Sequence, residues 1–181
     1  MRGASAAPIS SMLYTLSETR DRLMSLCSGI NTAQAESRLD EASWSISEIV
    51  EHLAITERGS MIGVKRALSQ PEASPALLLE TIGKSELIQT RIPAPAKRVS
   101  APDIVLPSGR FKEWPGALRA FEEARANSIH IAATADHSFE TRVISHPILG
   151  PLTLSQWFHF IAAHTERHAR QIEAVLAHEE A

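Results

Sequence analysis

Four stretches of this sequence repeat apolar residues at the spacing of an α-helix, and two of them begin with a capping box. The first stretch lies between Ile9 and Ile30. The second begins at Ser45, where Glu48 completes the capping box, and we expect it to end at about Ser69. This pattern is typical of long amphipathic helices that bury one face against each other.

The third and fourth helices are separated by a segment with different chemistry. Pro115 suits the first turn of the third helix, whose apolar and alanine-rich stripe continues to Ala135. The last helix begins at Thr153, where Gln156 completes the second capping box. Residues 138–153 are rich in β-branched residues and broken by prolines, and we predict a short extended or hairpin-like connection there.

Residues 71–114 form the longest interruption of the helical pattern. A short helical run near 77–89 gives way to a stretch rich in proline and small residues. We interpret this segment as a crossover rather than a domain boundary. A chain of 181 residues is long enough to bury a substantial core, so we predict a single all-α domain over residues 1–181.

Charge and cysteine content exclude several classes of function. The net charge is −3, which does not suit a nucleic-acid partner, and no window approaches the roughly 20 apolar residues of a membrane span. We therefore expect a cytoplasmic protein with no membrane partner. Cys27 is the only cysteine, which rules out an internal disulfide and thiolate zinc clusters. Any metal site must use histidine or carboxylate.

Three histidines lean toward the predicted core from two helices. At about 100° per residue, His168 lies within the apolar face of the last helix and His164 on its edge, one turn away. His52 flanks the apolar face of the second helix. These three side chains are candidate metal ligands, although each also fits an ordinary hydrogen-bonded boundary residue. The stretch HTERH is not a zinc-protease motif, because Glu166 faces away from the pair.

Small residues follow His52 along its helix. Thr56, Gly59 and Gly63 continue the same stripe, and glycine inside a helix costs about 1 kcal/mol. Their presence predicts either close helix contact or a cavity beside His52. We expect a cavity that admits a small ligand.

The other notable side chains have structural interpretations. Glu48 is explained by capping, and Cys27 by packing as a small apolar residue. The aromatic residues are expected to be helix staples or core, namely Trp44, Trp157, Phe158 and Phe160. His159 projects away from the candidate ligands. The remaining histidines and a basic pair are expected in connections or on the surface, namely His130, His137, His146, His178, Lys97 and Arg98.

The stretches WSISEIVEHL and HPILGPLTLSQWFHFIAAHTERHARQI resemble the DinB-like superfamily of small four-helix bundles. The resemblance covers both ends of the chain better than residues 71–115. It implies an up-down-down-up bundle with a long crossover between the second and third helices, and metal-ligand roles for His52, His164 and His168. Three neutral imidazoles with open positions suit zinc, nickel or iron(II).

The resemblance also implies a function. Relatives with assigned activity join low-molecular-weight thiols such as bacillithiol or mycothiol to electrophiles, so we expect a metal-dependent thiol S-transferase whose partners are a small thiol and a small electrophile. No protein nucleophile is required, and Cys27 should be dispensable. A metal-dependent hydrolase and a non-catalytic, stress-related bundle with a structural or vestigial metal stay as alternatives. A homodimer is left open.

Overall fold

The computed structural model describes residues 7–94, 101–135 and 138–179. Lys97, Arg98 and His137 lie outside these residues. Within them, the elements are α1 (Ala7–Cys27), α2 (Thr32–Ala35), α3 (Ile46–Leu68), α4 (Pro75–Leu79), α5 (Lys84–Arg91), α6 (Trp114–Thr134), β1 (Val143–His146), β2 (Gly150–Thr153) and α7 (Leu154–Glu179). No helix in this described part is long and apolar enough to cross a membrane.

Two apolar clusters give the directions of the four long helices. The first, which we call the hairpin-end cluster, joins Met12 near the start of α1, Leu154 at the start of α7, and the later halves of α3 and α6. The second, the crossover-end cluster, joins Leu23 near the end of α1, Val175 of α7, and the beginnings of α3 and α6, including Trp114. Helices α1 and α7 therefore run one way, and α3 and α6 run the other way. The predicted up-down-down-up bundle is confirmed.

Both predicted capping boxes start their helices as expected. The hydroxyl of Ser45 accepts the amide of Glu48 at 3.3 Å, and the Glu48 carboxylate accepts the amide of Ser45 at 2.7 Å. Thr153 and Gln156 form the same pair of bonds, at 3.2 and 3.0 Å, immediately before α7. Each box satisfies backbone N–H groups that would otherwise lack a partner at the helix start.

The connections contain more structure than the sequence predicted. The single helical run expected near 77–89 is two short helices, α4 and α5, separated by Gly83 in the left-handed conformation at φ 79°. A 3-10 turn at Asp103–Val105 follows in the crossover. The predicted hairpin is present, because β1 and β2 pair antiparallel with Val143 opposite Thr153.

A buried arginine joins all four long helices between the two apolar clusters. The guanidinium of Arg125 on α6 donates to both carboxylate oxygens of Glu57 on α3, at 2.7 and 3.0 Å. It also donates to the carbonyl of Leu16 and the hydroxyl of Thr19 on α1, and to the hydroxyl of Thr165 on α7. These bonds engage every N–H of the guanidinium, so a fully buried charge is completely satisfied.

Candidate metal centre

The structure brings the three candidate histidines together between α3 and α7. The Nε2 atom of His164 lies 3.4 Å from Nε2 of His52 and 3.1 Å from Nε2 of His168. One ring nitrogen from each histidine lies within 4.8 Å of the others. No aspartate, glutamate or cysteine among the described residues joins this group. The cluster therefore offers three nitrogen ligand atoms, one fewer than the four protein ligands of a closed structural zinc site.

Two of the three rings are oriented by hydrogen bonds at their other nitrogen. Nδ1 of His52 lies 2.8 Å from the backbone carbonyl of Val105, and Nδ1 of His168 lies 2.6 Å from Oε1 of Gln171. Because a carbonyl oxygen only accepts, each Nδ1 carries the proton and each Nε2 presents a lone pair to the cluster. This is the outer support that metal-binding histidines use.

Burial keeps the three imidazoles in the neutral form that binds metal. It lowers the pKa of His52, lowers the pKa of His164 well below its usual value, and lowers the pKa of His168 to about 3. The neighbouring histidines add to the effect on His164, since two positive charges would repel there.

The three ring nitrogens cannot all satisfy one another by hydrogen bonds, but a divalent cation could accept all of their lone pairs. With Nε2 of His52 and His168 unprotonated, His164 can donate one proton at most to the cluster, so at least one buried lone pair has no donor within it. A divalent ion would accept all three lone pairs, as zinc, nickel and iron(II) do with imidazoles.

Aromatic rings enclose the histidines. Trp44 lies with its ring centre 4.7 Å from that of His52 and stacks at 6.3 Å on His168. Phe160 stacks on His164 at 5.5 Å. The sequence interpretation placed both aromatic residues in a staple or core and missed their contact with the histidines. For Trp44, no spacing in the sequence indicates a contact with a helix more than a hundred residues later.

The two glycines of the small-residue stripe have different surroundings. An added Cβ at Gly63 would meet Ile144 of β1 at 3.7 Å, and at Gly59 it would meet nothing within 4 Å. The glycines thus face the hairpin and open space, and the predicted cavity at the histidines stays a prediction. Thr56, one turn after His52, has a buried hydroxyl with no hydrogen-bond partner in the described part of the chain.

The side chains excluded from the centre are occupied elsewhere. Glu166 pairs with Arg22 and Arg170, both at 2.8 Å, which confirms that it faces away. Cys27 is buried, and burial raises the pKa of its thiol to about 12, so it is a poor nucleophile. His159 lines a separate cavity of about 240 Å³ between α1, α5 and α7.

His146 makes more contacts with the helices than the sequence suggested. It lies in the predicted connection, but its ring packs against Phe160 at 4.5 Å and Trp157 at 5.2 Å. Burial lowers its pKa to about 4, and Nδ1 accepts the amides of Ile148 and Leu149, both at 3.1 Å. His130 and His178 are exposed, as expected.

Known proteins share this architecture. YfiT from Bacillus subtilis, described as a probable metal-dependent hydrolase with an unusual four-helix bundle topology, superposes with a TM-score of 0.65 at 17% identity over 99% of this chain and 92% of YfiT. TT2238, a four-helix bundle protein, superposes with a TM-score of 0.56 at 20% identity over 92% of this chain and 98% of TT2238. At such identities, these likenesses show the fold.

Sequence comparisons extend the relationship. YuaE from Bacillus subtilis (strain 168), an uncharacterized protein, is 26% identical over 148 residues, which cover 81% of this chain and 86% of YuaE. The model of the DinB superfamily matches residues 15–172, which include α3 and α6 entirely, most of α1 and α7, and the three clustered histidines. The chain therefore belongs to the DinB superfamily.

Proposed function

We propose that the protein is a divalent-metal-dependent thiol S-transferase in which His52, His164 and His168 hold zinc, nickel or iron(II). The observation that carries the proposal is the convergence of three neutral Nε2 atoms within 4.8 Å, with no carboxylate in the described residues to complete the set. A structural zinc site is closed by four protein ligands, whereas three ligands leave a position for a substrate.

When bound, such an ion acts as a Lewis acid and lowers the pKa of a thiol or water at its open position. The chain's own residues supply orientation and shelter. Val105 and Gln171 fix two of the ring orientations, and the rings of Trp44 and Phe160 pack against the histidines. The unpartnered hydroxyl of Thr56 is available to hydrogen-bond a ligand beside His52.

The missing carboxylate favours a thiol over water as the nucleophile. In the proposed reaction an S–C bond forms with the electrophile, while the thiol proton passes to solvent and the leaving group departs. A thiol of lowered pKa ionises without a protein base. Hydrolysis usually employs a general base, and Glu166 is held by two arginines on the other side of α7. Cys27 takes no part, because its thiol stays protonated.

A metal-dependent hydrolase is the second candidate. It is supported by the description of YfiT, whose likeness to this chain extends over 99% of the residues. The same three histidines would serve both reactions, so the choice depends on which nucleophile the protein uses. The substrates proposed here are therefore a small thiol and a small electrophile, with a small ester or amide as the competing choice.

The test uses protein purified without a histidine tag and loaded with zinc or nickel. Bacillithiol, mycothiol, glutathione and coenzyme A are each offered with a chromogenic electrophile, and chromogenic esters and amides are offered without thiol. We expect conjugation with at least one thiol, reduced to the uncatalysed rate in His164→Ala and unchanged in Cys27→Ser. Elemental analysis should find metal in the wild-type protein and much less in His168→Ala.

Each other outcome has a defined meaning. Conjugation that persists in His164→Ala would reject the histidine site as the catalyst. Metal-dependent hydrolysis without conjugation would favour the hydrolase. Metal binding with neither activity would favour a non-catalytic bundle, and equal metal in the wild-type protein and His168→Ala would reject the ligands themselves.

A further inference from the structure

Glu51, the residue before His52 on α3, holds the crossover by its backbone. One carboxylate oxygen accepts the amides of Ser108 and Arg110 at 2.9 and 3.0 Å, and the other accepts the amide of Gly109 at 3.0 Å. Glu51 is buried at 5% exposure, so these bonds replace the water that its charge loses on folding. We call residues 108–110 the clamped turn.

The backbone around the clamped turn has a specific shape. Gly109 adopts the left-handed conformation at φ 71°, which lets consecutive amides point at one carboxylate. Just beyond, the carbonyl of Phe111 approaches α6 so closely that a Cβ at Gly116 would lie 2.4 Å from its oxygen. The end of the crossover is therefore fixed both to α3, through Glu51, and to α6.

The clamped turn lies three residues after the carbonyl that orients His52. Val105 accepts the Nδ1 proton of His52 at 2.8 Å, and Pro107 stiffens the backbone between Val105 and Ser108. Glu51 and His52 are adjacent on α3, and their partners, the clamped turn and Val105, are close together on the crossover. The two sets of hydrogen bonds therefore join the same short stretch of α3 to the same short stretch of the crossover. Fixing one contact fixes the geometry of the other.

This arrangement matters because the His52 anchor is distant in sequence. His168 takes its anchor, Gln171, from the next turn of its own helix, which exists whenever α7 exists. The His52 anchor lies 53 residues away in irregular backbone, and a 3-10 turn of three residues cannot hold its position alone. Some contact must hold the crossover against α3, and the contacts of Glu51 lie nearest to His52 in the chain.

We propose that Glu51 is a positioning residue of the metal centre, which clamps the crossover so that the Val105 carbonyl keeps Nε2 of His52 turned toward His164 and His168. The inference rests on the proposed metal site, and it adds a residue that never touches the ion. Loss of the clamp frees the crossover and breaks the hydrogen bond from Nδ1 of His52 to the Val105 carbonyl. The imidazole can then rotate so that its Nε2 turns away from His164 and His168.

The experiment measures metal binding rather than turnover. Zn²⁺ affinity is determined by competition with a chromogenic chelator, and the Co²⁺-loaded protein gives a d–d spectrum that reports ligand geometry. Amide hydrogen exchange of residues 101–113 reports the clamp itself. Glu51→Ala removes the acceptor, Glu51→Gln keeps part of it, and Ser74→Ala is the matched control, since it removes a side-chain acceptor of a backbone amide at α4.

Mutation of residues that orient metal ligands typically lowers metal affinity about 10- to 100-fold. We therefore expect Glu51→Ala to weaken Zn²⁺ binding about 10-fold and to alter the Co²⁺ spectrum. Glu51→Gln should lose less affinity, because its amide oxygen still accepts. Exchange at residues 108–110 should accelerate in both variants. Ser74→Ala should bind Zn²⁺ like the wild-type protein, with an unchanged spectrum.

Two results would overturn the proposal in different ways. Faster exchange at residues 108–110 in Glu51→Ala, with wild-type affinity and spectrum, would show that the clamp holds the crossover without orienting His52. Absence of Zn²⁺ and Co²⁺ binding in the wild-type protein would remove the metal site itself and the proposed function with it. If Glu51→Ala does not fold, Glu51→Gln decides the question by the same measurements.

Discussion

Two buried polar clusters inside this bundle differ in one respect. At Arg125, every N–H of the guanidinium has an acceptor, and both oxygens of Glu57 are engaged. At the histidines, three ring nitrogens face one another at 3.1 and 3.4 Å with no carboxylate or thiol among the described residues to join them. The first cluster is complete within the chain, and the second is not.

The difference distinguishes a cluster that fixes helix packing from a cluster that is a candidate for metal binding. A buried polar cluster that satisfies itself fixes how helices pack, because any other arrangement would leave charge without a partner. A buried cluster whose lone pairs point at one another leaves at least one of them without a donor, and a bound cation would satisfy it. Both clusters include residues of α3 and α7. The hydrogen bonds of Arg125 to these two helices therefore also help to fix the positions of the helices that carry the histidines.

The largest expected effect is on the complete cluster. Arg125→Met leaves the Glu57 carboxylate buried without its partner, and removing one member of such a pair costs about 3–5 kcal/mol. Urea unfolding of the apoprotein measures the change. Combining Arg125→Met with Glu57→Gln removes the stranded charge and should recover a substantial part of the loss. A cost below about 1 kcal/mol for the single variant would show that the network does not stabilise the bundle.

An intermediate effect is expected on the incomplete cluster, and it should appear only with metal. An ion that binds the folded state alone stabilises it by about 2.7 kcal/mol at 100 times Kd. The thermal midpoint of the wild-type protein should therefore rise with Zn²⁺ and fall again with a chelator. His168→Ala should lose this Zn²⁺-dependent rise in the thermal midpoint. Arg125→Met keeps all three histidines, so its lower midpoint should still rise when Zn²⁺ is added. An equal Zn²⁺ response in His168→Ala would contradict the proposed ligands.

The smallest expected effect concerns His146, a half-buried histidine whose Nδ1 accepts two backbone amides. Its pKa is lowered to about 4, so the folded state stays neutral where the unfolded chain, with an ordinary pKa of about 6.5, takes up a proton. Stability should therefore decline as pH falls from about 6.5 to about 4, and change no further from this group below that.

NMR titration of the His146 ring measures this pKa directly, and urea unfolding across the same pH range measures its consequence. Asparagine keeps an acceptor for the amides of Ile148 and Leu149 but does not titrate. His146→Asn should therefore lose stability less steeply than the wild-type protein between pH 6.5 and 4. A ring that titrates near 6.5 would show that the side chain is solvated.

The sequence predicted those features whose causes lie within a few residues. The capping boxes at Ser45 and Thr153 are local hydrogen-bond patterns, and the pairing of His164 with His168 follows from helical spacing. Gln171 also lies one turn from His168, so its role could have been found in the same way. The metal roles of these histidines stay predictions.

Features that depend on distant parts of the chain left no such signal. Arg125 lies in an alanine-rich helix, and its burial depends on a carboxylate 68 residues away. The contact of Val105 with His52 depends on the path of an irregular segment, which no periodicity describes. The aromatic character of Trp44 was clear from the sequence, but its place beside His168 required the assembled bundle.

The distance in sequence between His52 and His164 has a consequence for how the ion acts on the chain. A metal that joins them closes a loop of 112 residues, as a disulfide would, except that a chelator can open it. The folded bundle has already lost the chain entropy of bringing these residues together, so the ion meets a ready-made site there and only a scattered one in the unfolded chain. A bound ion would thus act as a reversible crosslink and would slow unfolding for as long as it stays bound.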